Sequence, residues 1–325
     1  MKKILIVGSG NIGTRYLEGL TKIKLNVNIF VLDNSKKALK TARMRIENQE
    51  YDQRTIKIGY FSSISKIPYK NIDLAILSTN SDVRFNIFKV LINNFNVKYF
   101  ILEKFLFQRN NDYKDALALL NNFNSKCWIN NPRRIFPSYE IMKKLIDPSK
   151  PLKIEIVGGL VRLCSNGIHF LDLFSWYINS LDVDIAYDGP DDCIIRSKRD
   201  GFIEMKGQIS GISDKGHRII IKRIEKFYNS KLLRITNGNM KYIVSEEKQK
   251  VAIYRSNKFV IWEDFKIPFL SEIIPKLAEE ILTKGHCNLP SLNKSSELHL
   301  KLLNVFRKKL LNIEPNRDWV SIPIT

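Results

Sequence analysis

Lys3-Ile4-Leu5-Ile6-Val7 runs directly into Gly8-Ser9-Gly10-Asn11-Ile12-Gly13, and Thr14-Arg15-Tyr16-Leu17 follows. An apolar run of this length reads as a buried strand. The glycines behind it are spaced for a tight turn, a close backbone approach and packing of a helix against the strand. With the amphipathic stretch from Tyr16 to Ile23 behind them, they predict a strand, a phosphate-cradling turn and a helix. Gly8, Gly10, Asn11, Ile12 and Gly13 are therefore candidate dinucleotide-binding residues.

Working outward, a second apolar run at 27–32 ends at Asp33. An acidic residue about twenty positions past the last glycine can accept hydrogen bonds from the adenosine ribose hydroxyls. Asp33 thus argues for NAD, because a 2′-phosphate would face a like charge; Ser35, Lys36 and Lys37 leave NADP possible if Asp33 turns away. The alternative is an Asp that only caps the helix predicted at 35–45. Further strands at 71–77 and 97–102 lead to Ser78-Thr79-Asn80 and Glu103-Lys104, with a helix at 83–92 between them. This alternation specifies a parallel, doubly wound α/β sheet with ligands at the carboxyl ends of its strands. Ser78, Thr79, Asn80, Glu103 and Lys104 join the cofactor candidates on that ground.

A helix at 116–120 closes a first domain of residues 1–127. Beyond it, strands are predicted at 152–163, 193–197, 201–210, 218–224, 231–236, 240–244 and 251–254. They are separated by Asp188-Gly189, Asp200-Gly201, Lys215-Gly216 and Asn237-Gly238. Strands without intervening helices indicate an α+β second domain, residues 128–325, built on a large, mostly antiparallel open sheet with helices on one face. Ile219 and Ile221, on one side of a strand, suggest a homodimer or homotetramer surface on the open sheet. Helices are predicted at 270–284 and 296–311, the last with a leucine-rich face expected to pack on the first domain.

The 325 residues carry 53 basic against 33 acidic side chains, a net charge of +20. Lysines are spread along the chain with no basic tail and no nucleic-acid-binding signature, so a solvated basic surface is expected, and no nucleic-acid partner. No apolar run approaches the roughly 20 residues needed to span a bilayer. Cys127, Cys164, Cys193 and Cys287 are scattered, and His217, His286 and His299 have no ligand-spaced partners, so free thiols, no metal and a cytoplasmic location are expected.

Together the segments Gly8 to Arg15, Ser78-Thr79-Asn80, Leu102-Glu103-Lys104, Asn131-Pro132-Arg133-Arg134-Ile135-Phe136-Pro137 and Gly167-Ile168-His169-Phe170-Leu171-Asp172-Leu173 resemble the Gfo/Idh/MocA family of nicotinamide-dependent oxidoreductases over nearly the full length. The ending, with Leu289-Pro290-Ser291-Leu292, His299 and Pro323-Ile324-Thr325, is similar to members associated with bacterial surface-polysaccharide synthesis. The resemblance implies a Rossmann half, an open-sheet half and a sugar or nucleotide-sugar substrate. It matches Lys104 to the lysine of the family's Glu-Lys-Pro signature and His169 to its catalytic histidine. Two positions depart from the pattern. Phe105 stands where the proline of that signature falls, which removes the basis for a cis-proline turn, and Ser165 stands where an aspartate usually supports the histidine.

Hydride transfer to or from a carbinol carbon also moves a proton on or off its oxygen. His169 is the candidate acid/base, and Lys104 the cation that steadies the oxygen and the nicotinamide ribose. On a helix, Asp172 would lie three residues from His169 and orient it, or serve only as a structural hydrogen-bonder. Arg134 would clamp an anionic substrate group, or pair with Glu140 or solvent. Asn166 is a further substrate-binding candidate. Phe105 and Ser165 motivate an alternative, a cofactor-binding regulator or scaffold without turnover.

Overall fold

In the computed structural model, which describes residues 1–224 and 230–325, β1 (Lys2–Val7) is wholly apolar at its end and sits at the centre of a six-stranded parallel sheet. Its neighbours are β2 (Val27–Leu32), β3 (Ile56–Phe61), β4 (Asn71–Leu77), β5 (Asn96–Leu102) and β6 (Lys126–Ile129), in the order β3-β2-β1-β4-β5-β6. The order reverses at β1, which makes the carboxyl ends of β1 and β4 a topological switch point. The helices α1 (Asn11–Leu20), α2 (Lys36–Glu47), α3 (Ser81–Asn94) and α4 (Asn110–Asn122) connect these strands. Residues buried to 0% on β1, β4 and β5 form the core of this doubly wound layer, among them Ile4, Leu74 and Phe100.

After the helix α5 (Pro137–Leu145) come β7 (Leu152–Gly158) and α6 (Leu163–Ile178). The expected strand at 152–163 is therefore a shorter strand, a turn and the start of a helix. The strands that follow are β8 (Asp184–Asp188), β9 (Ile194–Arg196), β10 (Ile203–Met205), β11 (Gln208–Ile212), β12 (Arg218–Arg223), β13 (Lys231–Asn237), β14 (Met240–Ser245), β15 (Lys250–Arg255) and β16 (Lys258–Asp264). Eight of the strands form one sheet, ordered β16-β15-β14-β13-β7-β12-β11-β8, and β9 pairs with β10 separately. All pairs in the large sheet are antiparallel except β7 with β12, as expected for a mixed, mostly antiparallel sheet.

α6 packs on β11 and β12 of this sheet. Ile219 and Ile221, assigned above to the open face, are fully buried in the core. The outward face is the opposite row, which passes from Ile220 through Glu155, Arg234 and Ile243 towards Trp262, because alternation alone does not say which row is covered. Two helices end the chain, α7 (Leu270–Lys284) and α8 (Leu292–Ile313). The chain divides into two units. The first holds Met1–Phe107, Asn111–Asn130 and Pro268–Leu292, so it is α7, packed on α1, that returns to it. The second holds Gln108–Asn110, Asn131–Ile267 and Asn293–Thr325, including α8 beyond its first residue. Among the described residues no helix is long and apolar enough to cross a membrane.

Candidate functional site

In the first unit, Gly8 takes φ +91°, a conformation that L side chains rarely adopt, and turns the chain out of β1. A Cβ on Gly13 would lie 1.8 Å from the Gly8 carbonyl oxygen, so only glycine lets α1 come this close to the strand. A Cβ on Gly10 would meet nothing within 4 Å. Gly10 is the N-cap of α1 and provides no side-chain cap, and no acidic residue lies in the first turn. Asn11 and Ile12 begin the helix there, and its positive end faces open space that suits an anion.

Asp33 is pinned at the tip of β2. Its Oδ2 accepts from Ser9 N at 2.6 Å and Ser9 Oγ at 3.0 Å, and its Oδ1 accepts from Ser35 N at 2.8 Å. Ser78 closes the other side, its Oγ donating to Val7 O and Gly8 O at 3.0 and 2.7 Å. Asn80 is the N-cap of α3. A groove of about 540 Å³ opens here, lined by Gly8, Leu32, Asp33, Ser62, Ile64, Thr79, Ile87 and Leu91 among others. Its mostly apolar wall with one carboxylate at the rim suits a nucleoside. Thr79 Oγ1 is buried and has no hydrogen-bond partner among the described residues, an arrangement that a polar ligand group would satisfy.

Glu103 and Lys104 end β5 on the same edge. Glu103 is buried and accepts from Tyr16 Oη and Asn130 Nδ2, both at 2.6 Å. Burial, followed by the Glu103 charge, pushes the Tyr16 phenol well above its ordinary value, so it remains a donor. Lys104 is half-buried, and the Lys104–Phe105 peptide is cis although residue 105 is not proline. Arg84, buried on α3, donates to the carbonyls of Thr79, Phe105 and Leu106, tying the segment after Lys104 to the end of β4. Sequence reasoning missed Arg84; an arginine on an otherwise apolar helix face was its only signal.

In the second unit, His169 and Asn166 lie on α6, both half-buried. Asp172, one turn on, is buried and held by Arg134 from the 3-10 turn Pro132–Ile135: Nε donates to Oδ2 at 2.9 Å and Nη2 to Oδ1 at 2.6 Å. Burial raises the Asp172 carboxyl more than the Arg134 guanidinium lowers it, which leaves it at about 6. The bidentate geometry is that of an ionised pair. Arg134 and Asp172 are thus brought to each other, and Glu140 is not the partner of Arg134.

Next to them a network that no motif announced joins four side chains. Glu246 accepts from Arg133 Nε and Nη2 at 2.9 Å each, from Tyr139 Oη at 2.5 Å, and pairs with Lys231 Nζ at 2.6 Å. Burial raises the Glu246 carboxyl, but Arg133 and Lys231 outweigh it and hold the group well below the usual carboxylate range. Arg133 also stacks over Phe170, 4.2 Å from the ring centroid, beside His169 in sequence. His217 and His299 are engaged structurally, His217 Nδ1 accepting from Leu152 N at 3.0 Å and His299 Nδ1 lying 2.8 Å from Ser295 O.

A Rossmann sheet with a glycine cradle, joined to an eight-stranded open sheet, defines a two-unit dinucleotide-fold architecture. It is the fold of a Gfo/Idh/MocA family oxidoreductase from Vibrio cholerae, with TM-score 0.70 at 13% identity over 96% of this chain and 99% of that one. The WlbA dehydrogenase from Bordetella pertussis, solved with NADH and UDP-GlcNAcA, is similar over 100% of this chain and 98% of its own, with TM-score 0.70 and 15% identity. A super-repressor mutant of Gal80p from Saccharomyces cerevisiae is similar over 96% of both chains, with TM-score 0.71 and 12% identity. No protein-family model and no curated protein matches the sequence.

Proposed function

We propose that this chain is an NAD-dependent oxidoreductase of the Gfo/Idh/MocA type, acting in the cytoplasm on a sugar or nucleotide sugar of surface-glycan synthesis. The observation that carries the reading is the groove at the switch point, where the Gly10 cradle, the pinned Asp33 carboxylate and the orphaned Thr79 Oγ1 fit a dinucleotide. Turning Asp33 away to admit a 2′-phosphate would break its bonds to Ser9 and Ser35, which supports NAD over NADP. WlbA, solved with a nicotinamide cofactor and a nucleotide sugar, supports the substrate class.

NAD, when bound, supplies the hydride acceptor or donor. The α1 N-terminus would hold its pyrophosphate, Asp33 its ribose hydroxyls, and Ser78, Thr79 and Asn80 the rim. Lys104, on a segment braced by Glu103 and Arg84, steadies the substrate oxygen as negative charge develops. His169 takes or returns the hydroxyl proton, and Asn166 orients the sugar. Asp172 and Arg134, being paired, act on the substrate through the position of α6. The open sheet, with Leu232 and Trp262 exposed, serves as a homodimer surface in this reading, and sedimentation as a monomer at micromolar concentration would remove that part.

Gal80p and the serine at 165 favour a second reading, a cofactor-binding regulator. NADH absorbance with a panel of nucleotide sugars separates the two. Turnover that falls at least about a hundredfold in Lys104→Ala and His169→Ala supports the enzyme. Tight NADH binding with no turnover on any sugar supports the regulator.

A further inference from the structure

α6 begins without help from its own flank, since its N-cap is Arg162, which makes no side-chain cap. The free N–H groups of its first turn are instead taken by a carboxylate from a distant strand. Glu204, on β10, accepts from Cys164 N through Oε2 and from Ser165 N through Oε1, at 3.0 Å each. Glu204 is only 4% exposed, so this charge lies in the protein interior, against the positive end of the helix. β10 is itself clamped: it pairs with β9, and Ile203 N donates to Pro323 O at 2.8 Å in the C-terminal tail. Ser165 and His169 are four residues apart on one helix face, an advance of about 6 Å.

We infer that Glu204 is a positioning residue for the proton-transferring histidine, its carboxylate reaching from β10 to hold the first turn of the helix that carries His169. The inference rests on the reading of His169 given above. The negative charge comes from another element and meets the backbone at Ser165, one turn before His169 in sequence. Without it, the exposed positive end of α6 would disfavour a protonated His169; with it, that end is neutralised and the imidazolium is stabilised. Among the described residues, most other charged groups near α6 are engaged, Lys143 with Trp176 O at 2.6 Å among them. Arg134 is matched by Asp172, Arg133 and Lys231 by Glu246, and Arg223 lies on Val161 O at 3.4 Å. Burial pushes the Cys164 thiol up, so it stays neutral beside the carboxylate.

The test is the titration of the His169 ring by NMR, assigned with His169→Gln, in the wild-type chain and in Glu204→Gln. The Gln variant keeps an acceptor for one N–H and removes the charge. The His169 midpoint is expected to fall by about one pH unit in Glu204→Gln, through loss of the buried charge that offsets the positive end of α6. In Glu204→Asp, where the carboxylate is kept but drawn back by one methylene, it should fall by less. Turnover should fall about tenfold in the Gln variant with the KM for NAD unchanged. An unchanged midpoint in Glu204→Gln, or in Glu204→Asp should the Gln variant not fold, overturns the inference and leaves Glu204 a mere helix cap. Full turnover in His169→Ala would instead overturn the assignment of His169, and with it the positioning role.

Discussion

Replacing Glu246 by Gln keeps the shape of the side chain and removes the negative charge that Arg133 and Lys231 share. The side-chain exposures of 14%, 16% and 8% for Arg133, Lys231 and Glu246 leave little water to compensate. The amide oxygen can still accept from one cation, but the amide NH2 must face the other, so at least one buried cation loses its partner. Breaking a buried ion pair from one side costs about 3–5 kcal/mol, and the retained acceptor places this case near 3. For a domain of this size that lowers the melting temperature by about 6–12 °C. The pH dependence has a definite sign. The folded-state pKa of Glu246 is depressed below the ordinary 4.5, so its contribution is complete above that value and is lost as pH falls below it. Calorimetric melting of wild type and Glu246→Gln should differ most at pH 7 and converge from about pH 4.5 downward. Equal melting temperatures at pH 7, or a gap that stays constant to pH 3, would refute the reasoning.

Gly10→Ala should leave the melting temperature within about 1 °C, because its Cβ meets no protein atom, yet weaken NADH binding in calorimetric titration about tenfold or more by filling the cradle. Gly13→Ala should lose both stability and binding, since the Gly8 carbonyl must give way; a Gly10→Ala variant with wild-type affinity would argue against the cradle. Arg84→Lys offers one ammonium to three carbonyls and should cost about 1–3 kcal/mol in denaturant melts, with turnover falling more than NADH affinity as the segment after Lys104 loosens.

The first turn was legible because its determinants are local. A short apolar strand, glycines at positions 8, 10 and 13, and an acidic residue after the next strand are neighbours in sequence, and the structure gathers them at one sheet edge. Elements lacking that local contrast were missed. β16 is exposed along its whole length and shows no alternation, β3 is interrupted by Gly59, and α5 is only nine residues long. Alternation placed Ile219 and Ile221 on one face but not which face α6 would cover, because a period of two has no sign.

By itself, the sequence determined that a parallel Rossmann sheet comes first and that a mostly antiparallel open sheet follows, with Asp33 at the tip of the second strand; Lys104 and His169 were singled out only through the family resemblance. Only the tertiary structure decided what each charge rests on. It joined Arg134 to Asp172 across 38 positions, Arg133 to Glu246 across 113, and Glu204 to the start of the His169 helix across 40. The physical reason is that a buried charge takes its partner from whatever element folding brings beside it, and spacing along the chain carries no record of that choice.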